Sequence, residues 1–171
     1  MKSVWVAGAS LALMACVAFA MSSLEAPSDT ATPEVDPDLL RLRGLWISNC
    51  YPLEPGHYQV RTFEFTLPQL ATITTLSFPD ANCQQPPVST AVVSATWDLG
   101  PSRSTEEGLQ ARSLDMLLQG EDKKLTSVKQ LVHFMPQAFV LGMSHALDFY
   151  PRYMDWDIVF TRVPAGVSPA E

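Results

Sequence analysis

The chain is poor in the residues that most often announce chemistry. It carries three cysteines in 171 residues, all far apart. No C-x-x-C pair therefore suggests a redox dithiol or a zinc site. The histidines His57, His133 and His145 are scattered and form neither H-x-H nor HExxH, the spacings that put two imidazoles on one metal. Eight glycines occur singly, so no glycine-rich loop opens a helix to cradle phosphate. Basic residues are also scarce: 11 Lys and Arg stand against 18 Asp and Glu, for a net charge of −7, and the one adjacent basic pair is Lys123-Lys124. That balance argues against nucleic acid as a partner and against anionic lipid surfaces. No motif calls for a cofactor or a metal, and none is expected.

What is present begins with a leader. Lys2 precedes an apolar and small run from Val4 to Ala20, the secretory pattern. Two processing readings stay open. Ala18-Phe19-Ala20 is an A-x-A site that ends a signal peptide at residue 20, while Leu13-Met14-Ala15-Cys16 resembles a bacterial lipobox, which ends the signal at 15 and leaves Cys16 lipidated. The destination is correspondingly periplasmic, an outer-membrane lipoprotein or secreted, and membrane attachment would come only through a lipid on Cys16. Residues 21–40 are rich in Ser, Thr, Pro and acids without apolar periodicity, which reads as a disordered linker. The domain is expected over 41–164, with a flexible tail at 165–171.

Once Cys16 is assigned to the leader or to lipid, Cys50 and Cys83 remain, and an even pair in an exported chain implies a disulfide. It would close a loop of about 34 residues, worth roughly 3 to 4 kcal/mol on the chain-entropy model.

From residue 44 the chain breaks into short β-rich runs separated by Pro, Gly, Asn and Asp: 44–50, 58–66, 70–78, 88–98, 111–118, 127–134, 138–143 and 156–163. Several alternate with a period of two. Phe63, Phe65 and Leu67 oppose Thr62, Glu64 and Thr66; Leu114, Met116 and Leu118 oppose Ser113 and Asp115; Trp156, Ile158 and Phe160 oppose Asp157 and Thr161. The stretch 104–108 has room for one helical turn capped by Ser104. These runs predict an all-β domain. An up-and-down antiparallel barrel of about eight strands is the most economical arrangement because closure removes exposed edges, with a β-sandwich as the alternative.

Gly44-Leu45-Trp46 resembles the G-x-W that opens the first strand of lipocalins. GLWISNC, a Phe-rich strand, a Thr-rich strand and FPDANC together look like a group of small exported bacterial lipocalin-like proteins without an assigned activity. The similarity is densest over 44–83 and looser around SATWDLG and VFTRV; the lipocalin motif between the sixth and seventh strands has no clear match. The resemblance implies that Arg162 covers Trp46 and closes one barrel end.

For catalysis, Ser144 beside His145 is the nearest approach to a nucleophile and base. Adjacent residues of a strand point to opposite faces, and the G-x-S-x-G elbow is absent. Asp155 and Asp157 would share a strand face, as paired carboxylates or as the solvent side of the last strand. The apolar set Phe63, Phe65, Trp97, Met116, Phe134, Trp156 and Phe160 is the candidate lining of an interior that either fills completely or holds one small apolar ligand. Two functions follow. One is a non-catalytic module binding such a ligand; the other is an envelope protein-interaction or inhibitor domain working through loops 51–57, 100–108 and 144–155. In the last of these loops Tyr150, Pro151, Arg152 and Tyr153 are an interface-like cluster, or a loop packed on its own barrel.

Overall fold

The structure, a computed structural model, describes residues 35–120, 122–143, 147–164 and 166. The leader, its cleavage sites, Cys16 and most of the linker and tail lie outside the described residues, as do Ser144 and His145.

Among the described residues a short helix, α1 (Pro37–Leu42), precedes nine strands: β1 (Gly44–Ser48), β2 (Tyr51–Glu54), β3 (His57–Thr66), β4 (Leu70–Phe78), β5 (Ser89–Ser104), β6 (Gln110–Gln119), β7 (Leu125–Met135), β8 (Ala138–Gly142) and β9 (Met154–Arg162). From β3 to β9 each strand pairs antiparallel with the next, and β1 pairs with both β3 and β9. This is a closed eight-stranded up-and-down barrel of the expected class. The extra strand is β2, which follows β1 along the same edge of β3.

Alternation dictates the filling. Phe63 and Phe65 point inward from β3 opposite Ile73 and Ala71, and Ala71 in turn lies opposite Ala95. Those two alanines leave room for the large rings beside them. Phe65 packs edge-on to Trp97 at 5.3 Å, Phe63 to Phe160 at 5.2 Å, and Trp46 to Phe139 at 4.9 Å. Such pairs add to the burial of the rings themselves.

This aromatic half is sealed by α1. Pro37 starts the helix, Asp36 accepts a hydrogen bond from the Asp38 N–H at 2.9 Å, and Leu42 is fully buried under the barrel with Leu39 packed beside it. The helix crosses the domain boundary expected at residue 41. Six residues are too few to hold a helix alone. Tertiary contacts supply the rest: Arg112 pairs with Asp36 at 2.8 Å and Asp38 at 2.9 Å, and Arg41 donates to the Met135 carbonyl at 2.5 Å.

Three further details differ from the sequence reading, beside the extension of β5 through residues 100–104, which were expected in a loop. Residues 51–54, expected in a loop, form β2, where Pro52 sits on an edge that pairs only with β3 and so forfeits no ladder bond. At 104–108 there is a tight turn rather than a helical one, with the Gly108 N–H bonded to the Thr105 carbonyl at 3.0 Å. The third concerns Trp156, which does not line the interior and is 45% exposed. Val140 pairs with Val159 but Gly142 pairs with Met154, so the β9 side gains residues between these pairs and its inward-outward parity reverses.

Candidate functional site

The two ends of the barrel are built differently. Below Phe63 the interior is packed solid with rings; above it, toward the end away from α1, the inward residues shrink to Ile73, Thr75, Val93, Leu118 and Val128. The space they leave is an open cavity of about 400 Å³, walled mostly by apolar side chains and reached by Leu141 and Leu147. That volume falls in the range of ordinary small-molecule sites, roughly 300 to 1,000 Å³. Among the described residues three polar groups interrupt the apolar wall: Arg61 on β3, Thr75 on β4 and Gln130 on β7.

Arg61 and Gln130 also line a neighbouring recess of about 160 Å³ together with Asp155, Ile158 and Phe160. Gln130 is oriented by its own strand, since its carbonyl oxygen accepts from the Leu131 N–H at 2.8 Å. Arg61 is positioned by a hydroxyl of the opposite strand, its backbone N–H donating to Ser48 Oγ at 2.8 Å. Among the described residues no carboxylate lies within ion-pair distance of the Arg61 guanidinium.

Close by, Tyr51 is buried and donates to Gln59 at 3.2 Å. Burial raises the pKa of its phenol, Arg61 works against that rise and Asp155 adds to it.

The wall beside the cavity is incomplete. Asn49 substitutes its side chain for the missing strand pairing, accepting from the Val159 N–H at 2.8 Å and donating to the Asp157 carbonyl at 2.8 Å. Beyond it β2 and β9 separate, leaving a cleft lined by Tyr51, Leu53, Met143, Asp155 and Ile158. Cys50 begins this stretch and is bonded to Cys83 with an S–S distance of 2.06 Å, which ties the β4–β5 connection to the same end. Within that connection Asp80 accepts from the N–H groups of Gln84 and Gln85 at 3.0 and 3.2 Å, and these bonds lower its pKa.

Of the residues expected to line a cavity, Phe63 and Met116 do so. Phe65 and Trp97 belong to the packed half, and Phe160 reaches the smaller recess from there. Phe134 is partly buried at the sealed end, with the Arg41 guanidinium 4.9 Å from its ring centre. Trp156 lies outside, where it donates to Glu107 at 2.9 Å and meets His133 edge-on. Arg61 and Gln130 went unremarked in the sequence, although the alternation Arg61-x-Phe63-x-Phe65 places the arginine on the inward face.

The other chemical candidates disperse. His57 faces Glu54 at 3.1 Å on an exposed hairpin, and His133 contacts the Gln110 carbonyl at 2.8 Å. Asp155 and Asp157 both face the β2–β9 cleft. Among the described residues no three His, Cys, Asp or Glu side chains converge as a metal site. Tyr150 packs on its own barrel: its hydroxyl donates to both oxygens of Asp115, at 2.8 and 2.9 Å, and its ring lies 4.1 Å from Arg103. Loss of solvent and the bond to Asp115 raise its pKa. Neighbouring Tyr153 is exposed, and Arg152 pairs with Glu106 at 3.6 Å.

No family model, curated protein or solved structure matches the chain.

Proposed function

We propose that this protein is an exported, non-catalytic binding module that holds one small, largely apolar molecule in the open half of its barrel. The carrying observation is the apolar cavity of about 400 Å³ beside a half that is otherwise packed solid. A barrel that served only as a scaffold would gain stability by filling that space, because each buried methylene adds about 0.8 kcal/mol. The disulfide and the secretory-type leader support an extracytoplasmic location, where such bonds persist. The resemblance to lipocalin-like proteins is consistent with the same reading, since Arg162 lies over Trp46 at 4.3 Å in the opening G-x-W strand.

A second reading has its own observation. Leu53, Leu147, Phe149 and Tyr153 are exposed apolar or aromatic residues on segments flanking the open end, the composition of a surface that meets another envelope protein. A titration separates the two. On the first reading a neutral hydrophobic dye such as N-phenyl-1-naphthylamine becomes fluorescent with one saturable site per chain and is displaced by decanol. Unsaturable, weak fluorescence that decanol does not displace would reject the cavity and favour the loop surface.

A further inference from the structure

Resting on the cavity reading above, the geometry points to a ligand class: an amphiphile with an apolar body and a single anionic head, a carboxylate, held by Arg61. Among the described residues the cavity wall contains one cationic side chain and no anionic one. Arg61 and Gln130 line both the cavity and the smaller recess and so mark the junction of the two, while Ile73, Val93, Leu118 and Val128 line the cavity alone. A molecule seated there with its apolar body against those four side chains directs its polar end to the arginine.

An inward-facing arginine needs a reason. In a barrel wall the position suits an apolar residue, and Phe63 and Phe65 occupy the next two inward places on the same strand. A guanidinium there loses part of its hydration, and among the described residues no carboxylate within ion-pair distance replaces it. The planar fork of five donors suits a carboxylate, which accepts two parallel hydrogen bonds from it. Gln130 adds a carboxamide whose oxygen is engaged by Leu131, leaving its amide hydrogens as donors for the same head.

Asp155 supplies the opposing charge. It lines the recess with Arg61 but not the larger cavity, so it repels an anion from the recess and leaves the cavity side of the guanidinium as the favoured seat. The two side chains therefore have opposite effects on the same ligand. Arg61 attracts the head and Asp155 limits how far it moves toward the cleft.

Isothermal titration of the purified, oxidised protein with decanoate, decanol and decyltrimethylammonium tests this class. Decanoate should bind at least about tenfold tighter than decanol, the contribution of one charge-assisted hydrogen-bonded pair, and the cation should bind most weakly. Arg61→Met should remove the preference, so that decanoate binds no tighter than decanol. Arg61→Lys should retain part of it, and Asp155→Asn should tighten decanoate by about threefold through loss of a nearby like charge. Melting curves of each variant matching the parent would show that folding is intact. Equal affinities for decanoate and decanol, unaltered by Arg61→Met, would overturn the anionic class and leave the apolar cavity standing. Failure of all three probes and of the dye would overturn both.

Discussion

Trp46 and Arg162 stand directly opposite each other in the β1–β9 ladder, with the guanidinium 4.3 Å from the indole ring. From that position Arg162 donates to the Arg43 carbonyl at 2.8 Å and to the Arg41 carbonyl, while the Trp46 indole N–H donates to the Leu42 carbonyl at 2.7 Å. The pair thus binds the end of α1 to the barrel it seals. Gly44 leaves space for this: its φ is +121°, and a Cβ there would lie 2.8 Å from Arg162 Nη1.

Arg162→Ala is expected to destabilise the domain by about 2 to 3 kcal/mol, combining a cation–π contact with two charge-assisted hydrogen bonds to carbonyls. Urea unfolding followed by tryptophan fluorescence measures it. A midpoint within error of the parent would mean that α1 seals the barrel without this residue.

The Cys50–Cys83 bridge joins positions 33 apart. Replacing both cysteines by serine should cost roughly 3 kcal/mol, since the unfolded chain regains the entropy of an open loop. Because Cys50 borders the β2–β9 cleft beside the cavity, dye binding should weaken along with stability. If the reduced and oxidised proteins melt at the same temperature, the bridge does not hold the fold.

The barrel was legible where local pattern and tertiary environment agree. The strand at Leu70–Phe78 stands out because β-branched Thr and Ile alternate between Pro68 and Pro79. Pattern failed where distant contacts decide. Helix α1 is held by Leu42 burial and by Arg112, which lies some seventy positions away; β2 hides behind Pro52 and Pro55. The split of the interior into filled and open halves depends on which inward residues share a layer, and that requires the register. Arg61 is an intermediate case, because its face was readable and the space in front of it was not.

The parity change in β9 makes a contrast that one strand can test. Phe160 is 1% exposed among the rings, whereas Trp156 is 45% exposed and held by Glu107. Phe160→Ala should cost about 3 to 5 kcal/mol, the usual loss for a buried aromatic, and Trp156→Ala should cost about 1 kcal/mol. Comparable losses would place both rings in the core and reject the register shift.

Acid sensitivity should appear at the α1 seal. The hydrogen bond from Arg112, reinforced by the Asp38 N–H, holds the Asp36 carboxyl below its ordinary value. A group whose pKa falls on folding contributes stability that is complete above the unfolded pKa, about 3.9 for Asp, and lost as pH falls through the lower folded value. Asp36→Asn keeps an N-cap oxygen but removes the charge. The parent should exceed it by no more than ~1 kcal/mol at pH 7, given the partial exposure of the pair, and the two should converge in strong acid. A gap that stays constant from pH 7 to strong acid would exclude the ion pair as its source.

The open half of the barrel can be tested by filling it. Val128 lies on the cavity wall, while Leu114 is fully buried in the packed half. Enlarging a side chain in a packed core forces neighbours off their rotamers at a cost of about 1 to 3 kcal/mol, but the same change into open apolar space adds contacts without that strain. Val128→Phe should therefore melt no lower than the parent and lose dye and decanol binding together. Leu114→Phe should lower the melting temperature and, in the fraction that remains folded, still bind. The reversed result, with Val128→Phe destabilised as severely as Leu114→Phe, would mean that no usable space exists at Val128. The binding reading would then give way to a filled barrel that acts through its exposed rim.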